Sequence, residues 1–101
     1  MTIRLDPENN ETRALFDLAD FRGQRVLEIG CGDGRLTWRY AGFAAQVTAI
    51  DPFADGIRRA KENLTRELRG RVEFLNVAFE DFASASRPAT YDMAILAWSL
   101  C

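Results

Sequence analysis

Three glycines fall at alternate positions in the stretch VLEIGCGDGRLT, at Gly30, Gly32 and Gly34. Glycine adopts positive φ angles and lets the backbone approach a ligand closely. The N-terminus of the helix-forming run that follows favours negative charge. A glycine loop between a strand and a helix lies at the carboxyl edge of a parallel sheet, where such folds bind ligands. The stretch therefore predicts a mononucleotide-type site, with a tight helix-on-strand turn as the structural alternative.

The spacing of the glycines narrows the ligand. A dinucleotide fingerprint is G-x-G-x-x-G, whereas this loop reads G-x-G-x-G and has Arg35 where that fingerprint has its third glycine. Glu28 lies two residues before the first glycine. A carboxylate there would repel a pyrophosphate and attract a cationic group. An unpaired charge is also costly in a buried strand, which makes Glu28 hard to interpret as a mere strand residue.

Asp51 is the second informative residue, because it follows the next predicted strand, 21 positions after Gly30. A carboxylate accepts hydrogen bonds at two oxygens, so it can hold both hydroxyls of a ribose. Asp51-Pro52 is also a typical helix-capping sequence, and the two roles can coexist. A ligand with a ribose and a cationic part near Glu28 matches S-adenosylmethionine.

Helices and strands alternate along the chain, and this order must position those residues. A helix is predicted from Asp6-Pro7 to about Asp20. Apolar runs predict strands over RVLEIG, AQVTAI, RVEFLNV and YDMAILAW. Further helices are predicted over residues 35–41, 53–70 and 79–84, with Gly42 as the C-cap of the first of these. This alternation predicts an α/β fold, with right-handed crossovers and helices on both faces of a parallel sheet.

The composition excludes several classes of function. The chain has 101 residues and a net charge of -2, which opposes a nucleic-acid-binding surface. The densest basic group, Arg58, Arg59 and Lys61, is flanked by acids and indicates a solvated helix face. Two cysteines outside any ligand spacing, with no histidine, oppose a disulfide framework and a metal site. Without a signal peptide or an apolar run of membrane-spanning length, the sequence predicts a cytoplasmic protein.

The chain stops directly after its fourth apolar strand. Four parallel strands would leave one sheet edge uncovered, which is a poor end for a complete domain. We therefore expect residues 1–101 to be the N-terminal portion of an incomplete domain, truncated after strand four. The uncovered edge would also invite self-association with another chain.

VLEIGCGDGRLT together with VTAID resembles the opening of a class I S-adenosylmethionine-dependent methyltransferase, over residues 16–100. The resemblance implies a Rossmann-like three-layer sandwich of roughly twice this length. Its first four strands would lie in the order 3-2-1-4. The resemblance also implies S-adenosyl-L-methionine as cofactor and S-adenosyl-L-homocysteine as product. The methyl acceptor is unidentified, and we expect a small molecule in preference to a nucleic acid.

Carried over to this sequence, the resemblance assigns the glycine loop to the methionine part of the cofactor. The backbone at Gly30 and Cys31 would hold the amino group, with Glu28 assisting, directly or through water. Gly32 and Gly34 would allow close approach. We interpret Cys31 as a small side chain that fits inside the loop, and not as a nucleophile.

The adenosine part falls on the residues after the next two strands. Asp51 would bind the ribose hydroxyls, and Pro52 and Phe53 would present apolar surface to the adenine. Phe53 also begins the apolar stripe of its helix, so core packing is an equal alternative.

The segment VAFEDF departs from the family, because Ala78 stands where many members have an aspartate that reads the adenine edge. The amide of Phe79 would still meet a ring nitrogen, and Glu80 or Asp81 would supply the missing acceptor. The alternative is that these two acids only stabilise the first turn of a helix.

Ala97, Trp98 and Ser99 follow the fourth predicted strand and would lie beside the sulfonium and the acceptor. A tryptophan at such a position is more often a core residue than a substrate contact, which is the alternative for Trp98. In-line placement of the acceptor supplies most of the rate, and a general base is needed only if the acceptor must lose a proton. No catalytic residue is assigned. A base would be a carboxylate, Tyr40 or Tyr91, or lie outside this sequence.

Two functions of other classes compete with this one. A nicotinamide-dependent oxidoreductase with a Rossmann fold is opposed by the glycine spacing and by Glu28. A cofactor-binding domain without turnover is the non-enzymatic alternative. A closely related activity is that of an aminopropyltransferase, which uses the decarboxylated form of S-adenosylmethionine.

Overall fold

A computed structural model of the chain describes residues 20–85 and 90–97, together with the backbone of residues 2–5. The strands in this part are β1 (Thr2–Leu5), β2 (Arg25–Ile29), β3 (Gln46–Asp51), β4 (Val72–Asn76) and β5 (Met93–Ala97). The helices are α1 (Thr37–Tyr40), α2 (Ala54–Glu62) and α3 (Phe79–Ala85), with a 3-10 helix at Arg66–Leu68.

The strands form one parallel sheet in the order β1-β5-β2-β3-β4. The four predicted strands therefore lie in the predicted order 3-2-1-4, and the Rossmann-like α/β fold is confirmed. β2 lies between β3 and β5, and Glu28 is in register with Ala49 and Ile95. Because the strands are parallel, the segments after β2, β3 and β4 all emerge at one edge of the sheet.

The prediction of an uncovered edge beside the last strand is wrong. β1 pairs with β5 in parallel, from Thr2 opposite Ala94 to Leu5 opposite Ala97. The segment TIRL alternates apolar and polar residues, but four residues give too short a pattern to predict a strand from the sequence alone. The outer strand on this side of the sheet is therefore β1.

One face of the sheet carries most of the core. Alternate residues of β2 to β5 on this face are buried; they are Val26, Glu28, Val47, Ala49, Val72, Phe74, Met93 and Ile95. Tyr40 from α1, and Ile57 and Ala60 from α2, belong to the same core. The connection from β4 to β5 runs back across the sheet, so a right-handed crossover places α3 on the other face.

α2 is shorter than predicted, because the helix ends at Glu62 and not near Gly70. The Asn63 backbone amide still donates to the Arg59 carbonyl oxygen at 3.1 Å, as in a helix, but the Leu64 amide donates to the Lys61 carbonyl oxygen, only three residues back, at 3.3 Å. Thr65 is extended. The apolar stripe nevertheless continues, since Leu64 and Leu68 pack against the core.

The other helix predictions have mixed outcomes. The helix predicted from Asp6-Pro7 to about Asp20 falls on residues 6–19, outside the described part. α1 begins at Thr37, later than predicted, because the Asp33 carboxylate accepts the Arg35 amide at 3.2 Å and holds a turn there. Gly42 does not have a positive φ angle, so it is not a left-handed C-cap.

A bidentate salt bridge joins the amino-terminal ends of β2 and β5. The Arg25 guanidinium donates to both carboxylate oxygens of Asp92, at 3.1 and 3.0 Å. Their main chains are also joined by the Asp92 amide, which donates to the Arg25 carbonyl oxygen at 2.8 Å. The hydrogen bond from Arg25 lowers the pKa of Asp92 to about 2. This bridge lies at the edge of the sheet opposite the glycine loop.

Candidate functional site

The glycine loop has the backbone conformation that its sequence predicts. The φ angles of Gly30, Gly32 and Gly34 are 84°, 57° and 88°, in the left-handed region that other residues rarely adopt. The amides of Gly30 and Cys31 both donate to the Ile50 carbonyl oxygen, at 2.9 and 3.1 Å. These bonds tie the loop to the end of β3, so its shape is fixed by the neighbouring strand.

The third glycine makes a close approach inside the protein. A Cβ atom on Gly34 would lie 3.1 Å from the Trp38 ring and 3.2 Å from the Phe74 ring. These two rings form an edge-to-face pair with centroids 5.4 Å apart. Gly34 therefore allows α1 to pack closely against the sheet. This is the tight helix-on-strand turn that was the structural alternative to a ligand site.

Asp51 is buried and joins the glycine loop to the segment that enters α2. Its Oδ2 atom accepts the Gly32 amide at 2.9 Å, and its Oδ1 atom accepts the Phe53 amide at 2.8 Å. α2 begins after Phe53, which is its N-cap and makes no side-chain cap hydrogen bond, so the predicted capping role of Asp51 is wrong. The bond to the Phe53 amide instead closes a turn before the helix. A carboxylate has about four acceptor positions, so two remain for further donors.

Gly56 is a site residue that the sequence analysis missed. It is buried in the first turn of α2, and a Cβ atom there would lie 3.0 Å from the Gly32 carbonyl carbon and 3.1 Å from its oxygen. α2 thus lies directly on the glycine loop. The available signal was a glycine inside an amphipathic helix, where it costs about 1 kcal/mol relative to alanine.

Glu28 is fully buried beneath the loop, and α1 holds one of its two oxygens. The Oε1 atom accepts the Thr37 hydroxyl at 2.8 Å and the Tyr40 hydroxyl at 2.5 Å. The Oε2 atom is buried without a hydrogen-bond partner among the described residues. The Tyr40 ring stacks on Phe21 with centroids 4.5 Å apart, which fixes the position of its hydroxyl.

The site has an excess of negative charge. Burial and, to a smaller extent, the charge of Asp51 raise the pKa of Glu28 to about 7, against hydrogen bonds from Tyr40 and Thr37 that lower it. Burial and the charges of Glu28 and Asp51 raise the pKa of the Cys31 thiol well above its usual range. The Cys31 thiol therefore stays protonated and is a poor nucleophile. Burial also raises the pKa of Tyr40, which opposes its use as a base.

Two exposed aromatic rings follow β3 and β4. Phe53 is 75% exposed and Phe79 is 45% exposed, so the core-packing alternative for Phe53 is wrong. β3 and β4 are neighbours, with Asp51 in register with Asn76, so both rings extend from the same edge. Exposed aromatic faces at a carboxyl edge are suited to contact with a flat ring.

The remaining predicted residues lie around this edge. Pro52 is exposed, and Glu80 and Asp81 are exposed on the first turn of α3, where the helix dipole favours acids. Ala97 is half-buried at the carboxyl end of β5. Trp98 and Ser99 lie outside the described residues.

Across residues 20–85 and 90–97 and the backbone at 2–5, no helix has the length and apolar character needed to cross a membrane. In the same residues, no three side chains of His, Cys, Asp or Glu are grouped so that they could hold a metal ion.

Residues 26–101 match the family model of a methyltransferase domain. The chain belongs to the class I S-adenosylmethionine-dependent methyltransferase family. The chain is 41% identical over 80 residues to a ubiquinone biosynthesis O-methyltransferase from Glaesserella parasuis, covering 79% of this chain and 31% of the relative. It is 44% identical over 55 residues to a magnesium-protoporphyrin O-methyltransferase from Rhodobacter capsulatus, covering 54% of this chain and 25% of the relative.

Solved structures give the same result for this methyltransferase domain. An S-adenosylmethionine-dependent methyltransferase structure from Listeria monocytogenes matches with a TM-score of 0.71 and 28% identity, covering 86% of this chain and 36% of that chain. A type II methyltransferase structure from Anaeromyxobacter dehalogenans matches with a TM-score of 0.60 and 34% identity, covering 84% of this chain and 32% of that chain. The chain spans about a quarter to a third of the length of the curated relatives it matches.

The raised pKa of Glu28 has a consequence for stability. Because burial raises this pKa from 4.5 to about 7, the folded state binds the proton more tightly than the unfolded state. The contribution is fully present below about pH 4.5 and is lost as the pH rises through about 7, with a total of roughly 3 kcal/mol. We expect Glu28→Gln to remove this loss, which urea unfolding at about pH 5 and about pH 8 measures.

The exposed Glu73 on β4 provides the matched control. Glu73→Gln should keep the pH dependence of the unmodified protein. If Glu28→Gln shows the same pH dependence of unfolding as the unmodified protein, the Glu28 carboxyl ionises as readily in the folded state as in the unfolded state. That result would contradict a pKa raised by burial.

Gly56→Ala tests the contact between α2 and the loop. The added methyl group would meet the Gly32 carbonyl at 3.0 Å, so α2 or the loop must move. Alanine by itself favours a helix, so a fall in the midpoint of thermal unfolding would report the strain at this contact. We expect such a fall. Gly70→Ala, where a Cβ atom meets nothing within 4 Å, is the control and should leave the midpoint within a few degrees. Equal midpoints for both variants would contradict close packing at Gly56.

Proposed function

We propose that the protein binds S-adenosylmethionine at the glycine-loop edge and transfers the methyl group to a small-molecule acceptor. The observation that carries this proposal is the Asp51 carboxylate, which joins the Gly32 and Phe53 amides and keeps two acceptor positions. The relatives named for ubiquinone biosynthesis and for magnesium-protoporphyrin are O-methyltransferases. Their names support an oxygen atom of a small molecule as the acceptor.

The adenosine part of the cofactor fits the outer half of the edge. Asp51 would accept the two ribose hydroxyls at its remaining positions. The rings of Phe53 and Phe79 would provide apolar surface for the adenine, with Pro52 beside them, because these exposed residues extend from the ends of adjacent strands. The Phe79 amide would meet a ring nitrogen, and Glu80 would accept the adenine amino group.

The amino-acid part fits the inner half of the edge. The amides of Gly30 and Cys31 are already occupied by the Ile50 carbonyl oxygen, so the backbone would contact the cofactor's ammonium group through its own carbonyl oxygens. Glu28 supplies negative charge beneath the loop, which favours a cation. Gly32, at positive φ, would allow the cofactor to approach the backbone closely.

Methyl transfer requires the chain mainly to place the cofactor and the acceptor relative to each other. When bound, the cofactor supplies an activated methyl group on a sulfonium, which is a good leaving group. The chain orients that group at the carboxyl ends of β2 and β5, where Ala97 would lie beside the acceptor. Fixed placement of two reactants accounts for much of the rate of such a transfer. Cys31 and Tyr40 are poor candidates for a base, because both are buried with raised pKa values.

We also infer that the protein functions in the cytoplasm. Cys31 is a free and buried thiol, and a chain with two cysteines and no ligand spacing has no need of an oxidising compartment.

An Asp51→Asn variant tests the proposed function through binding. Titration calorimetry with S-adenosylhomocysteine should show binding to the unmodified protein. Binding to Asp51→Asn should be about 10- to 100-fold weaker, because hydrogen bonds to a carboxylate are lost. Circular dichroism checks that the variant is folded.

The control variant is Asp55→Asn, an exposed acid in the first turn of α2, which should bind as tightly as the unmodified protein. A parallel titration with NADH tests the oxidoreductase alternative. Binding of NADH without binding of S-adenosylhomocysteine would overturn the proposed function. Unchanged binding by Asp51→Asn would overturn the ribose role.

A further inference from the structure

The Glu28 carboxyl is bound unequally at its two oxygens. Oε1 has two hydroxyl donors within 2.8 Å, whereas Oε2 is buried without a partner among the described residues. A buried acceptor without a donor costs about 1 to 3 kcal/mol, and more when it is charged. One donor on each oxygen would avoid that cost, so the unequal arrangement requires a reason.

Among residues 20–85 and 90–97, the groups around Glu28 are apolar, neutral or acidic. Its neighbours in register, Ala49 on β3 and Ile95 on β5, are apolar and fully buried. The titratable groups that face it are Tyr40 from α1, Cys31 from the loop and Asp51 from β3. Among the described residues, none of the groups that shift the pKa of Glu28 is a cation. Glu28 is therefore buried beside another acid, without a cation from the described residues to balance its charge.

α1 is built to hold one oxygen only. Thr37 and Tyr40 are three residues apart, so their side chains lie on the same face of the helix and reach the same atom. Both residues are fully buried, and the Tyr40 ring is stacked on Phe21, so neither hydroxyl can turn toward Oε2 at low cost.

We propose that Thr37 and Tyr40 are positioning residues, which hold Oε1 of Glu28 so that Oε2 remains free for the ammonium group of S-adenosylmethionine, directly or through one water. The proposal rests on the proposed function. It adds the two α1 hydroxyls to the binding machinery, although neither touches the cofactor.

The role has a pH signature. The hydrogen bond from Tyr40 favours the charged form of Glu28, whose pKa is about 7. The affinity for a ligand with an ammonium group should therefore rise as the pH rises from about 6 to about 8. Without the Tyr40 hydroxyl, this rise should move to higher pH. A ligand without an ammonium group should show neither effect.

A pair of ligands separates positioning from general stability. S-Adenosylhomocysteine carries the amino-acid group, whereas 5′-methylthioadenosine has the same adenosine and thioether without it. Calorimetry at neutral pH should show about tenfold weaker binding of S-adenosylhomocysteine to Tyr40→Phe and to Thr37→Val. Binding of 5′-methylthioadenosine should be unchanged, which also shows that each variant is folded.

Two further variants serve as controls. Thr37→Ser keeps the hydroxyl and should restore the binding of S-adenosylhomocysteine. Thr48→Val removes a hydroxyl from a buried threonine on the opposite face of β3 and should change neither affinity.

The remaining outcomes contradict either the positioning role of Thr37 and Tyr40 or the proposed function. Equal losses for both ligands in Tyr40→Phe and Thr37→Val would show a purely structural role and overturn the positioning proposal. Unchanged binding of S-adenosylhomocysteine by both variants would overturn it too, while leaving the proposed function intact. An unmodified protein that binds neither ligand would overturn the proposed function, and this proposal with it.

Discussion

The Asp51 carboxylate is the interaction on which the binding edge depends. Its two oxygens bind the amides of Gly32 and Phe53, which belong to the glycine loop and to the entry of α2. Its carbonyl oxygen also accepts the Val77 amide and the Asn76 side chain, both at 3.1 Å. One buried residue thus fixes the chain segments that leave β2, β3 and β4. These four hydrogen bonds therefore join the three segments at one point of the binding edge.

The same arrangement concentrates negative charge. Asp51 and Glu28 lie close enough for Asp51 to raise the pKa of Glu28, and burial raises it more. A fold selected only for stability would place an apolar residue where Glu28 stands, since its neighbours in register are Ala49 and Ile95. Sites that bind ligands commonly retain such costs. The cost at Glu28 is consistent with a cationic ligand, and α1 supplies the two hydroxyls that make the burial tolerable.

Local patterns in the sequence were enough to predict the four central strands and their order, because hydrophobic runs and alternation act over a few residues. They were also enough to single out Asp51 from its place after a strand. The contact between Tyr40 and Glu28 was not predictable, since it depends on how α1 packs on the sheet. The same holds for Gly56, whose importance lies in its distance from the loop. The end of α2 depends on the local backbone conformation from Asn63 to Thr65, which periodicity does not reveal.

The central claim is that the loop fixed by Asp51 is the binding site for an S-adenosylmethionine-type ligand. Amide proton–nitrogen NMR spectra during titration with S-adenosylhomocysteine test it most directly. We expect the largest changes in chemical shift at the amides of Gly30, Gly32, Gly34 and Phe53, and no comparable changes with NADH. Unchanged amides at these four residues under saturating S-adenosylhomocysteine, or equal changes with NADH, would contradict the account.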